Sequence, residues 1–177
     1  MILTIRLHEV LRSTLTTPSR DLVTRTTGAA VRVTIERAIQ ETGSPATHLD
    51  FAAVGLIDFS CADEVVAKLL RLTAGDHFVV LRGLDDTQAE AIDHVLERQD
   101  LTVTVLSREG GCRVLGRVTP DQLAAFEAVQ TWGPGTAERL AERIGWTVDR
   151  AADALQSLAL RRLVLAASGT YAPLPLQ

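Results

Sequence analysis

Residues 47–72 read THLDFAAVGLIDFSCADEVVAKLLRL, and this stretch contains a complete strand–loop–helix pattern. Residues 47–51 are predicted to form a strand, and the small residues after them a connection. In the helical part, Val65, Leu69 and Leu72 are spaced by four and three residues, which is typical of one buried helix face. The stretch therefore predicts one strand–helix unit of an α/β fold.

Ser60 stands just before this helical pattern, where an N-cap residue is expected. Its hydroxyl is predicted to accept a hydrogen bond from a first-turn backbone N–H that has no partner within the helix. Asp63 follows three residues later, in an arrangement related to the capping box. Asp63 and Glu64 also suit the positive end of the helix dipole. The sequence thus predicts Ser60 at the mouth of an acidic helix.

Strand and helix patterns alternate through residues 1–118. The nearly continuous apolar run at 77–81 is typical of a strand that is covered on both faces. Because strands alternate with helices, the sheet is expected to be largely parallel with right-handed crossovers. The predicted strands are 2–7, 47–51, 77–81 and 101–106, with an edge strand or linker at 112–118. The predicted helices begin near residues 26, 60 and 85, and residues 11–20 are expected to form a loop.

The pattern changes at Thr119, which is predicted to cap a helix that has Pro120 at its first position. This helix is expected to end before the Gly-Pro-Gly run at 133–135. A second helix over 136–144, a third after Thr147 and a short hairpin within 161–171 complete the segment. The sequence therefore predicts two domains, an α/β domain over residues 1–118 and a small α+β domain over residues 119–177.

The first domain resembles the STAS domain of anti-sigma-factor antagonists and their STAS-like relatives. The matching residues are Leu49-Asp50-Phe51 and Ile57-Asp58-Phe59-Ser60. Phe59 stands where the antagonists usually have Ser, and Cys61 where they usually have Gly, so residues 59–64 are more similar to the poorly characterised STAS-like subgroup. The resemblance implies a mixed, largely parallel sheet with helices.

In the antagonists, the serine that matches Ser60 is phosphorylated by a partner kinase that is also the anti-sigma factor. The resemblance therefore implies that Ser60 is a phosphoacceptor and that the partner is an anti-sigma factor or a histidine-kinase-type ATPase. The expected partner-binding residues are Asp58, Phe59, Cys61, Asp63, Glu64 and Arg25. Plainer alternatives stay open: Ser60 as a helix cap, Asp58 as a turn residue, Cys61 as a small buried hydrophobe and Arg25 as a solvated side chain.

The second domain resembles a winged helix-turn-helix, through residues 137–145 (AERLAERIG), Ala154-Leu155, Leu158 and Leu163-Val164. This resemblance opens an alternative function, a DNA-binding transcriptional regulator whose first domain senses a ligand or dimerises. Its expected DNA-binding residues are Arg139, Arg143, Arg150 and Gln156. Residues 119–177 contain six acidic and five basic side chains, a net charge of −1, which favours protein binding or homodimerisation over DNA binding.

The composition points away from catalysis and from membranes. The chain has 177 residues and a formal charge of −4. Its histidines are scattered without metal-ligand spacing, and it has no nucleophile-elbow motif, so no metal, cofactor or enzymatic activity is expected. Two cysteines in unrelated segments, no secretory segment and no apolar run of membrane-spanning length predict a cytoplasmic protein with free thiols.

Overall fold

The computed structural model describes residues 1–73 and 75–176. The chain divides into two compact units, one spanning Met1–Arg117 and a second that begins at Val118.

The first unit is built on a five-stranded, mostly parallel sheet whose strands lie in chain order. The first four strands are parallel to one another, and the fifth pairs antiparallel with the fourth along one edge. Nearly every position of the three central strands is buried, which agrees with their apolar sequences. The predicted parallel α/β fold is thus confirmed. The strands are β1 (Leu3–Arg6), β2 (Ala46–Asp50), β3 (Phe78–Arg82), β4 (Thr102–Leu106) and β5 (Cys112–Gly116).

Helices connect the parallel strands and pack on the sheet. Val31 and Ile35 of one helix and Ile92 and Leu96 of another are fully buried in a single core with the strand residues. Helical residues 59–72 are continuous and are called the Ser60 helix below. The elements are α1 (Leu7–Thr14), α2 (Arg25–Thr42), α3 (Phe59–Ala62), a π-helical segment (Asp63–Lys68), α4 (Leu69–Leu72) and α5 (Asp86–Arg98).

Helix α1 corrects the prediction of a loop over residues 11–20. It follows β1 directly and buries Leu7 and Leu11, which lie one turn apart. In the sequence, Leu7 also continues the alternation of Leu3 and Ile5, so the same residue fits a strand and a helix. The packing of α1 against α2 decides in favour of the helix.

The π-helical segment changes which residues of the Ser60 helix face the core. Val65 and Leu69 are fully buried as predicted, but Leu72 is 63% exposed. A π-helical turn contains more residues than an α-helical turn, so it rotates the residues that follow it around the helix axis. The α-helical spacing on which the prediction for Leu72 relied does not hold across this segment.

The second unit consists of three helices and a two-stranded hairpin. Thr119, Thr136 and Thr147 cap the helices through hydrogen bonds from backbone N–H groups three residues later. Ala151 and Leu155 are buried, whereas Val148, at the first turn of its helix, is 45% exposed. The elements are α6 (Pro120–Trp132), α7 (Ala137–Ile144), α8 (Val148–Leu160), β6 (Leu165–Ala167) and β7 (Thr170–Ala172).

Candidate functional site

The start of the Ser60 helix lies next to the segment that leads into α2. The Leu22 N–H donates to the Leu56 carbonyl oxygen over 2.8 Å, and the Asp58 N–H donates to the Leu22 carbonyl oxygen over 3.1 Å. These bonds form a short parallel bridge between Leu22 and Ile57. The loop follows the carboxyl end of β2, the edge where parallel α/β sheets commonly bind ligands.

Helix α5 also holds this loop in place. Gln88 completes a capping box with Asp85, and its side-chain amide donates to the carbonyl oxygens of Val54 and Gly55 over 2.9 and 2.7 Å. Gln88 is buried, so these bonds are shielded from water and gain strength from the low local polarity. The loop is thereby anchored from two sides before it reaches the Ser60 helix.

Asp58, and not Ser60, caps the Ser60 helix. Asp58 Oδ1 accepts a hydrogen bond from the Cys61 N–H over 2.7 Å, and the helix begins at Phe59. Ser60 lies inside the first turn, and its Oγ donates to Asp58 Oδ1 over 2.8 Å. The predicted Ser60 cap and the Ser60–Asp63 capping box are therefore wrong. Aspartate is as good an N-cap as serine, so the residue types at positions 58 and 60 do not by themselves show which of the two caps the helix.

The Asp58 carboxylate joins two helix starts. Its Oδ2 accepts a hydrogen bond from the N–H of Thr24, which caps α2 and has a φ of 71°. Partial burial raises the pKa of Asp58, but the bonds from the Cys61 and Thr24 N–H groups and from the Ser60 hydroxyl outweigh it and hold the pKa below its ordinary value. Asp58 thus has a structural role at the junction of α2 and the Ser60 helix.

Asp63 and Glu64 do not form the unpaired acidic mouth that the sequence suggested. Arg25 Nη1 lies 2.7 Å from Asp63 Oδ2 and 2.8 Å from Glu64 Oε1. Glu64 is only 2% exposed and also pairs with Arg32 and Lys68. Burial raises the pKa of both carboxyl groups, but these partners outweigh it and hold both pKa values below the ordinary range. The cluster fastens α2 to the π-helical segment and leaves little uncompensated negative charge.

Cys61 belongs to the core and not to the partner-binding surface. Its side chain is fully buried, and its Sγ donates to the Thr24 carbonyl oxygen over 3.1 Å. Burial and the neighbouring Asp58 carboxylate raise the pKa of the Cys61 thiol to about 12. The expected contact between Cys61 and a partner is therefore corrected, and the plainer expectation of a small buried hydrophobe describes the structure.

Phe59 is exposed at the start of the helix, and Ser60 lies next to it. Phe59 is 58% exposed and stacks on His94 of α5, with the ring centroids 4.8 Å apart. Ser60 is half-buried, and its hydroxyl is hydrogen-bonded to Asp58 Oδ1. The Phe59–His94 pair separates two shallow hollows. The first hollow is lined by Ile57, Asp58, Thr87, Glu90 and Ala91, and the second by Arg25, Asp63, Val95, Arg98 and Gln99.

The structure brings most of the predicted site residues of the first unit to one surface. Asp58, Phe59, Asp63 and Arg25 line the two hollows, whereas Glu64 and Cys61 lie beneath it. Sequence reasoning missed His94 completely. The exposed positions of α5 were readable from its helical pattern, but nothing in the sequence showed that α5 lies beside the Ser60 helix.

The residues predicted to contact DNA lie on α7 and α8 of the second unit. Arg150 forms two hydrogen bonds with Asp121, of 2.7 and 2.8 Å, and its guanidinium lies 4.3 Å from the centre of the Trp146 ring. The hydrogen-bonded Asp121 carboxylate raises the pKa of Arg150. The positive charge of Arg150 is thus compensated within the protein.

Arg139 and Arg143 are different, because they form no ion pair within the part of the chain that the structure describes. Both are exposed and line a pocket beside Trp132, and Arg143 lies 5.1 Å from the centre of that ring. Gln156 is exposed on α8, the helix that also exposes Asp149 and Asp153. The four predicted residues therefore include two uncompensated cations.

Within residues 1–73 and 75–176, no group of three or more His, Cys, Asp and Glu side chains is arranged to hold a metal ion. None of the described helices combines the length and apolar character needed to cross a membrane. No protein-family model, no curated protein and no solved structure shows significant similarity to this chain.

Proposed function

We propose that this chain is a non-catalytic bacterial regulatory protein that binds a protein partner through the surface around Phe59 and Ser60. The first unit acts in this proposal as a STAS-like module and the second as a winged-helix domain, in the cytoplasm. The observation that carries the proposal is an exposed aromatic ring directly beside a half-buried serine, at the carboxyl edge of a parallel sheet.

Phe59 is suited to anchor a partner. Exposed aromatic residues contribute much of the binding energy at protein interfaces when a partner covers them. Phe59 is the first residue of the Ser60 helix and directly follows a loop that hydrogen bonds hold on both sides, so little conformational entropy is lost when it is covered. Ile57, Ala91 and Val95 form the apolar floor of the hollows beside it, and charged side chains line the rims.

Ser60 is suited to control this surface by phosphorylation. A phosphoserine loses the hydroxyl proton that now bonds to Asp58 and adds nearly two negative charges beside that carboxylate. Ser60 Oγ and Asp58 Oδ1 are 2.8 Å apart in the unmodified protein, so a phosphate on Ser60 and the Asp58 carboxylate repel each other at close range. The modified side chain must therefore turn outward, where its charge changes the surface next to Phe59.

The partner in this proposal is an anti-sigma factor or a histidine-kinase-type ATPase, as the STAS-like pattern at residues 57–60 implies. Phosphopeptide mass spectrometry of the protein from its own cells tests the modification. Affinity capture with the wild type and with Ser60→Ala, Ser60→Glu and Phe59→Ala tests the surface. Ser13→Glu is the matched control, because Ser13 is an exposed serine on α1.

The expected result is a partner that the wild type, Ser60→Ala and Ser13→Glu retain and that Ser60→Glu and Phe59→Ala lose. Equal retention by Ser60→Glu and the wild type contradicts the switch. Retention by Phe59→Ala contradicts the surface itself.

A second candidate function is a DNA-binding transcriptional regulator, with the first unit as sensor or dimerisation module. The uncompensated Arg139 and Arg143 favour it, because free cations bind phosphates. The pairing of Arg150 with Asp121 and the exposed Asp149 and Asp153 on α8 weigh against it. A gel shift over a salt series tests it. Binding that weakens steeply with salt and is lost in the Arg139→Ala/Arg143→Ala variant supports this alternative.

A further inference from the structure

The exposed face of α5 carries opposite charges on either side of a histidine. Glu90, His94 and Arg98 are exposed and four residues apart, so they lie on one side of the helix. Within the described residues, neither Glu90 nor Arg98 forms an ion pair. His94 at the centre stacks on the exposed ring of Phe59.

We propose that this face is a homodimer interface, in which α5 of two copies packs antiparallel about a two-fold axis that passes beside His94. In a two-fold interface, residue i of one copy contacts residue j of the other, and j contacts i in return. His94 is the midpoint between Glu90 and Arg98 in the sequence. The same axis therefore places Glu90 of each copy opposite Arg98 of the other and forms two intermolecular ion pairs.

The hollows beside the aromatic pair have complementary charge under this axis. The first hollow contains the carboxylates of Asp58 and Glu90, whereas the second contains the cation of Arg98 beside Arg25, which is already paired with Asp63 and Glu64. The two-fold rotation turns the acidic hollow of one copy toward the basic hollow of the other. Glu97, the other exposed acid near Arg98, falls opposite the uncharged Ala91 and meets no like charge.

The burial of apolar side chains attracts the two copies to each other, and the ion pairs set the direction in which their helices pack. Phe59 is more than half exposed in the full chain, and the dimer covers it together with His94 of both copies. Burying an aromatic ring is among the larger single contributions to association. Exposed ion pairs contribute little by themselves but strongly disfavour an arrangement that opposes like charges. The charges therefore set the antiparallel direction, and the rings stabilise it.

The charge pattern of this face is complementary to itself under the two-fold rotation, so the partner that we propose for it is a second copy of the chain. This inference does not depend on the proposed partner binding, since the charges of Glu90 and Arg98 complement each other in a second copy whether or not another protein binds Phe59. Because Phe59 takes part in both surfaces, dimerisation and partner docking exclude each other.

Charge reversal tests the pairing in the full chain by sedimentation velocity over a concentration series. We expect the wild type to dimerise as its concentration rises, and Glu90→Arg and Arg98→Glu each to weaken the dimer at least tenfold, because each opposes like charges twice. An equimolar mixture of the two single variants should form a heterodimer, since both of its contacts then pair opposite charges. The double variant Glu90→Arg/Arg98→Glu should dimerise like the wild type.

Glu41→Arg is the control, because Glu41 is exposed on α2 and lies outside this face. It should leave the dimer unchanged, and circular dichroism should show that every variant keeps the fold. A wild type that is monomeric at every concentration overturns the proposal. Single variants that dimerise as the wild type does, or a mixture of weakened variants that fails to associate, overturn the antiparallel pairing.

Discussion

The Ser60 hydroxyl donates a hydrogen bond to Asp58 Oδ1 over 2.8 Å, and the same carboxylate accepts bonds from the N–H groups of Cys61 and Thr24. The serine proposed as phosphoacceptor is therefore bonded to the residue that fastens the Ser60 helix to the start of α2. Any change at Ser60 acts on that junction directly.

Replacement of Asp58 by asparagine should loosen this junction. The side-chain amide of asparagine has only one acceptor oxygen, so it cannot accept from both the Cys61 and Thr24 N–H groups as the carboxylate does. We expect a loss of about 1–3 kcal/mol in the free energy of unfolding and faster amide exchange over residues 22–27. Urea denaturation and hydrogen–deuterium exchange measure these effects. The control Asp149→Asn, at an exposed site of α8, should change neither.

Substitution of Gly28 by alanine should destabilise the first unit. A Cβ at Gly28 would lie 3.1 Å from the Cα and Sγ of Cys61 and 3.1 Å from the Cβ of Glu64. At an open helical position the same change stabilises by about 1 kcal/mol. Here we expect the opposite sign and a loss of about 1–3 kcal/mol, because the two helix backbones must separate. A stabilised variant in urea denaturation would contradict the close approach of α2 to the Ser60 helix.

The stability of the first unit should fall at acidic pH. The pKa values of Asp58, Asp63 and Glu64 are lower in the folded state than in the unfolded chain, so the unfolded chain binds more protons in mild acid. Their stabilisation is complete only well above the ordinary carboxyl pKa values of about 4, from roughly pH 6 upward, and it is lost progressively as the pH falls through those values toward the lowered ones of the folded state. Urea denaturation from pH 7 down to pH 3 measures the decline.

Replacement of Glu64 by glutamine should make that decline shallower. The variant removes one titrating group and the charge that pairs with Arg32 and Lys68, so we expect it to be less stable at pH 7 by on the order of 2 kcal/mol. Its stability should then depend less on pH than that of the wild type. A variant with an unchanged pH profile would show that Glu64 does not contribute to the acid sensitivity.

The Cys61 thiol should be inert in the folded protein. It is fully buried, and its pKa of about 12 leaves almost no thiolate at neutral pH. In a Cys112→Ser variant, which leaves Cys61 as the single thiol, a thiol reagent should react only after denaturant is added. Rapid labelling of that variant under native conditions would mean that the helix junction opens readily.

Local residue chemistry allowed much of the fold to be predicted from the sequence. The apolar run before Asp85 led to β3, and the alternation of strands and helices led to a largely parallel sheet. Thr119 caps a helix as expected, and the third helix of the second unit begins after Thr147 as expected. These features depend on neighbours within a few positions, so the sequence shows them directly. Where two local patterns overlapped, as at Leu7, or where helix geometry departed from the ordinary period, as after Lys68, the local pattern misled.

By itself the sequence determined the α/β alternation, the approximate starts of the helices other than α1 and the candidate importance of residues 58–60. Only the tertiary structure decided that Asp58 serves two helix starts, that Arg25 and Arg32 pair with Glu64, and that His94 supports Phe59. Each of these relationships joins groups from segments that are distant in the chain. Their distances follow from how the helices pack on the sheet, which no local spacing encodes.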